Sequence, residues 1–150
     1  MYHALVLVHV LSAIVALGSN ATYGVWFAKG AIAREHLLFA LRGVQFIDTW
    51  VANPAYGLLL VTGAALVVVS GRPWTEPWLV WALALYAALV IVAFGAYSPS
   101  LARQIRALAD GSADDAPYRA AAARQTVVGA VLVAIAVCIV GLMVFRPGGS

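Results

Sequence analysis

Four stretches of the chain are apolar almost without interruption: residues 5–28, 51–69, 78–97 and 127–145. A helix rises about 1.5 Å per residue and the hydrocarbon layer of a bilayer is about 30 Å thick, so each stretch is long enough to cross it. Polar character returns between them in distinct ways. "SGRPWTEPW" is a tight connection whose prolines and tryptophans suit a membrane interface. "DGSADDAPY" carries Gly, Pro and three aspartates and is the most loop-like part of the chain. "AREHLLFALRGVQFIDTW" instead sets Leu37, Leu38, Leu41, Val44 and Phe46 among Arg34, Arg42 and Asp48, and "SLARQIRALA" repeats the pattern with Leu101, Ile105 and Leu108 at helical spacing. The pattern predicts an all-α fold, a four-transmembrane-helix bundle with cytoplasmic helical extensions, in a single membrane domain over residues 1–150. It also predicts a kink at Pro54, where the ring removes a backbone donor.

Composition sharpens this. The chain is 64% hydrophobic and 10% charged, against about 45–50% and about 25% in soluble domains. A soluble core has no use for so much apolar surface, whereas a protein in lipid is apolar outside as well. "ALVLVHVLSAIVALG" followed by "SNA" resembles a cleavable secretory signal, yet "MYH" brings no Lys or Arg and the apolar run resumes as "YGVWFA". A retained first helix is expected.

The formal charge of +3 is scattered over short connections and forms no continuous basic face, so no nucleic-acid partner is expected. Its distribution bears on topology. Lys29, Arg34, Arg42, Arg103, Arg106, Arg119 and Arg124 fall on one side of the four spans, Arg72 and Arg146 on the other. By the positive-inside rule the larger group is cytoplasmic, which places the protein in the bacterial inner membrane as a multi-pass protein with both termini on the outer side. Cys138 is the one cysteine and reads as a small packed residue, with no intrachain disulfide possible.

Candidate chemistry lies in the first span. At about 100° per residue, His9, Ser12, Ala16, Ser19, Asn20 and Tyr23 share one arc of the helix. Polar groups facing lipid lack partners, so this arc is expected to face another helix. A counterpart face is expected on the second span: Gln45, Thr49, Asn53, Tyr56, Gly57, Leu60 and Gly63/Ala64. Ser, Asn and Thr there serve as interhelical hydrogen-bonding groups. His9 differs, because an imidazole inside the membrane can ligate a metal or haem iron or relay a proton; it can equally be neutral and bonded to a backbone carbonyl or to Tyr56. His3 reads as lying at the outer interface and His36 in the cytoplasmic extension, each a solvated or snorkelling side chain. Asp48 and Glu35 read as interfacial partners for Lys29, Arg34, Arg42 or Arg103. There is no CxxC, HExxH, C-x-x-C-H, GxSxG or phosphate-cradling glycine loop, which excludes the common soluble-type enzyme sites.

The "LxHVLSAIVALG" first helix, the charged lead-in to "NPAYGLLLVTG" and the final "GLMVFRP" resemble a family of small predicted bacterial integral-membrane proteins of unknown function. That family is distantly similar to the copper-resistance D membrane domain and to the HemJ-type protoporphyrinogen oxidase. The resemblance implies a four-helix membrane bundle and, from the HemJ-like relatives, haem b held by a first-helix histidine near a position like His9. Those relatives add a basic residue on the third helix, where this chain has no Lys, Arg or His between Trp78 and Tyr97.

Two functions follow. The first is cofactor binding in a redox role, with His9 as haem or metal ligand and Asn20, Tyr23, Asn53 and Tyr56 around the cofactor. The second is a non-catalytic scaffold or accessory subunit, a homo-oligomer or part of a larger membrane complex in the lipid bilayer, docking through the small residues Ala130, Ala134 and Cys138. A transporter is less well supported, since only the Pro54 region offers a broken helix.

Overall fold

The computed structural model of the chain describes residues 1–32, 34–111 and 116–148, and side chains for all of these except 31, 32, 34, 35 and 117. The expected roles of Arg34 and Glu35, and the centre of the "DGSADDAPY" loop, fall outside the described residues. Among the described residues every regular element is helical: α1 (Tyr2–Ile32), α2 (Arg34–Ile47), α3 (Asn53–Ser70), α4 (Pro77–Val92), α5 (Ser98–Ala109) and α6 (Ala116–Phe145). Four helical stretches are long and apolar enough to cross a membrane: Tyr2–Gly30, His36–Ser70, Pro77–Ala109 and Tyr118–Phe145. They extend beyond the apolar runs because α2 leads into the second, α5 prolongs the third, and α6 begins at Ala116 rather than near residue 127.

Helix α2 runs into α3, and α4 into α5, through π-helical turns at Asp48–Ala52 and Ala93–Tyr97. Each turn ends two residues before a proline, Pro54 or Pro99. The reason is hydrogen-bond arithmetic. Asn53 donates its N–H to the Asp48 carbonyl, five residues back, and Ser98 donates to that of Ala93. Pro54 and Pro99 have no N–H to give. One carbonyl is therefore left over in each helix: that of Thr49, whose α donor would be Asn53 and π donor Pro54, and that of Phe94, whose donors would be Ser98 and Pro99. Both residues are exposed. At about 1.5 Å per residue, Thr49 lies ~32 Å along the helix from Ser70, and Phe94 ~26 Å from Pro77. That is near the edge of the hydrocarbon, where water and headgroups supply donors. The Pro54 irregularity is thus a widened turn, and Pro99 makes a second one that the sequence reading did not anticipate.

The chain divides into two compact units, Met1–Trp74 and Thr75–Ser150. In the first, α1 packs on α2 and α3. Its centre is made of Ala16, Leu41, Val44 and Ala52, each nearly or fully buried, and the small residues let backbones approach closely. Trp26 of α1 covers Gly43 of α2, and Gly30 is packed so tightly that a Cβ there would sit 2.8 Å from that of Ala40. Gly71, at φ 67°, stops α3 with its N–H on the Val67 and Val68 carbonyls. In the second unit α6 packs along α4 and α5, burying Leu79, Ala82, Leu89, Tyr97, Leu101, Ala136 and Ile139.

Most apolar surface stays uncovered. The most hydrophobic window of the last candidate span is 6% buried, and Ile14, Ile91, Phe94 and Val137 are largely exposed. Soluble proteins do not carry apolar patches of this extent. Lipid is the medium in which such faces cost nothing.

The tight glycine gives a direct test. Gly30→Ala forces the Ala40 contact apart and is expected to cost about 1–3 kcal/mol. Gly18→Ala, with nothing within 4 Å of the new Cβ, is expected to be neutral or to gain up to about 1 kcal/mol. Thermal melts of the two variants in one detergent should separate in that order.

Candidate functional site

Three polar contacts join α1 to the broken helix of the first unit. His9 Nδ1 lies 2.9 Å from Thr62 Oγ1. The Thr62 hydroxyl donates its single proton to the Leu58 carbonyl at 2.6 Å, with the Leu59 carbonyl 3.4 Å away. Its oxygen is then the acceptor toward His9, so the proton sits on Nδ1 and Nε2 carries the lone pair. Gly63 makes room for the ring: a Cβ there would meet His9 Cε1 at 3.2 Å. His9 is eight residues from Met1 and Thr62 eight from Ser70, so both sit ~12 Å from the same end of the unit.

Asn20 Nδ2 donates to Tyr56 Oη at 2.7 Å and to the Ala16 carbonyl at 3.0 Å. One turn on, the buried Tyr23 donates its hydroxyl to Asp48 Oδ1 at 3.3 Å. Asn20 follows His9 by eleven residues of unbroken helix, about 16 Å. Of the sequence-predicted site residues, Asn20, Tyr23 and Tyr56 therefore cluster near the π turn and His9 stands apart from them. Asn53 is partly buried beside that turn, where its backbone N–H closes the π bond.

The expected face of α1 is the one that packs: Ser12, Ala16 and Tyr23 are buried, His9, Ser19 and Asn20 partly so. The expected counterpart face is met in part, since Tyr56 bonds Asn20 and Gly63 lies against His9. Gln45, Thr49, Gly57 and Leu60 are exposed, and the residues that meet α1 include Val44, Asp48, Ala52, Ala55 and Thr62. The sequence reading followed polar character, while the packed face is selected by small side chains plus one acid and one threonine. Asp48, read as an interfacial partner for a cation, receives Tyr23. Thr62 is the group that holds His9, a role the reading had considered for Tyr56.

The second unit has a polar cluster that the sequence reading missed. Ser100 Oγ and Gln104 Nε2 donate to the Ala121 carbonyl at 3.1 and 3.4 Å. Gln125, one turn further along α6, is 3% exposed, and neither its Nε2 nor its Oε1 has a partner among the described residues. The clue was the spacing of Gln125, Leu132, Ala136 and Ile139, which continues one helical face back before the apolar run. Ala130, Ala134 and Cys138 lie exposed on α6. Among the described residues no three His, Cys, Asp or Glu side chains come together.

These features define an all-α integral-membrane protein with four candidate spans. The chain belongs to the family described as "Predicted integral membrane protein (DUF2269)", which it matches over residues 3–147. No curated protein and no solved structure matches it significantly.

The two kinds of buried polar group predict opposite effects. Ser100→Ala removes a made bond and is expected to cost about 0.6 kcal/mol. Gln125→Leu removes unmet donors and an unmet acceptor and is expected to stabilise the fold by about 1–3 kcal/mol. Unfolding midpoints of the purified variants check both signs.

Proposed function

We propose that His9 would hold the iron of a haem of the b type and that the protein acts in membrane redox chemistry. The observation that carries this reading is the His9–Thr62 contact, which orients the imidazole and fixes its tautomer as partners of ligating histidines do. The donor set favours haem over a bare ion. An ion needs three or four protein ligands, and no such group occurs among the described residues. A porphyrin brings four nitrogens of its own and asks the protein for one. When bound, the iron would supply one-electron chemistry. The chain's part is to hold the Nδ1 proton on Thr62, keep Nε2 unprotonated, and leave space at Gly63. Asn20, Tyr23, Tyr56 and Asp48 keep α1 in register with the broken helix. The resemblance to HemJ-like proteins, with a first-helix histidine on haem, points the same way.

The wider reading keeps the charge argument: the protein sits in the bacterial inner membrane with both termini outside. A second reading, a scaffold that docks in a homo-oligomer or larger complex, draws on the exposed small residues Ala130, Ala134 and Cys138 of α6.

An absorption spectrum of the protein purified from native membranes tests the proposal. A Soret band is expected, lost in His9→Ala. Thr62→Val is expected to weaken cofactor retention about 10- to 100-fold, the usual loss when the partner of a ligating histidine is removed. Wild-type protein that is folded yet colourless after growth with ample haem precursor overturns the haem reading.

A further inference from the structure

Beyond His9, the second unit carries an apolar groove of about 390 Å³ between α4 and α6, lined by Trp81, Leu85, Cys138, Leu142, Phe145 and Pro147. A charge stands beside its lining in the chain. Phe145 and Pro147 flank Arg146, and Trp81 lies one turn below Trp78, over whose ring the Arg146 guanidinium sits at 5.7 Å. Arg146 has φ 44°, a left-handed backbone unusual for a side-chain-bearing residue. That turn ends α6 and folds the side chain back toward α4. Its Nε donates to the Met143 carbonyl at 3.3 Å, which leaves the two terminal amino groups of the fork for an anion. Glu76 is the nearby acid, and it is 7% exposed with its carboxylate taking the Trp78 indole N–H. Arg146 itself is exposed, so the charge that faces outward beside the groove is positive.

A slot that is greasy along its length with a cation beside it matches an anionic phospholipid. We infer that this groove holds one: an acyl chain lies against Trp81, Leu85, Cys138 and Leu142, and the phosphate pairs with the Arg146 guanidinium. The indole under the cation holds it in place without neutralising it. A guanidinium fork suits a phosphate's paired oxygens, and Trp78 belongs to the residue type that anchors at headgroup level. A zwitterionic lipid offers the same chains with its own cation beside the phosphate. The site thus selects by headgroup charge and binds by chain.

The test uses the full chain in vesicles of phosphatidylglycerol and phosphatidylcholine in equal parts, followed by native mass spectrometry after mild extraction. Wild type is expected to retain a single phosphatidylglycerol. Arg146→Gln is expected to lose about tenfold in preference for phosphatidylglycerol over phosphatidylcholine, and Leu142→Trp, which fills the groove, to lose retained lipid of either kind. Cys138 gives a readout that needs no substitution in the groove. As the one cysteine, its thiol should react with a maleimide more slowly in mixed vesicles than in pure phosphatidylcholine. Lipid retention equal in wild type and Arg146→Gln, or a labelling rate indifferent to headgroup, overturns the inference. A stable dimer that shields Cys138 in every lipid also overturns it, in favour of a second copy in the groove.

Discussion

Hydrocarbon offers a polypeptide no hydrogen bonds, and that constraint shapes every irregularity in this protein. A backbone carbonyl that loses its helical donor must find another or lie where water can reach it. Two prolines remove donors from helices that otherwise continue, and both losses are met the same way. The turn before each proline opens to π geometry, and the leftover carbonyl sits near one edge of the apolar layer. Side chains obey the same rule. Asn20, Tyr23 and His9 each reach a partner across the interface, and Thr62 also satisfies its own helix. Gln125, with no partner among the described residues, is the exception.

The number, class and approximate extent of the helices were legible because length and hydropathy alone decide whether a segment can cross a bilayer. The polar arc of α1 was legible because polar groups are scarce there and have one place to go. The facing surface was harder to read. On the broken helix, polar and small residues alternate around the circumference, so Gln45, Thr49 and Asn53 competed with Val44, Asp48 and Ala52, and packing favoured the latter set. Pro99 carried the same chemical information as Pro54, but "AYSPSLA" lies where an apolar run merges into an amphipathic one, which disguised it. Gln125 was overlooked because it precedes the apolar run that defined the fourth span.

The candidate site followed a similar division. That His9 faces another helix could be read from its neighbours. Which group holds it could not, because Thr62 and Tyr56 are both plausible hydroxyls on the opposing helix, and a shift of about 9 Å along the helix axis chooses between them. Gly63 then explains itself. It is a glycine because an imidazole occupies the volume of its missing side chain.

Each of the two units pairs an uninterrupted helix with an interrupted one, and in each the interruption contains one surplus residue. A surplus residue acts as a rotational offset of about 100° between the segments it joins. In the first unit this offset lets Leu41 and Val44 of α2 point at the same neighbour as Ala55 and Thr62 of α3. Length in this segment is consequently as constrained as identity. Excising any one residue between positions 48 and 52 would swing the buried edge of α2 away from α1 while leaving every remaining side chain chemically intact.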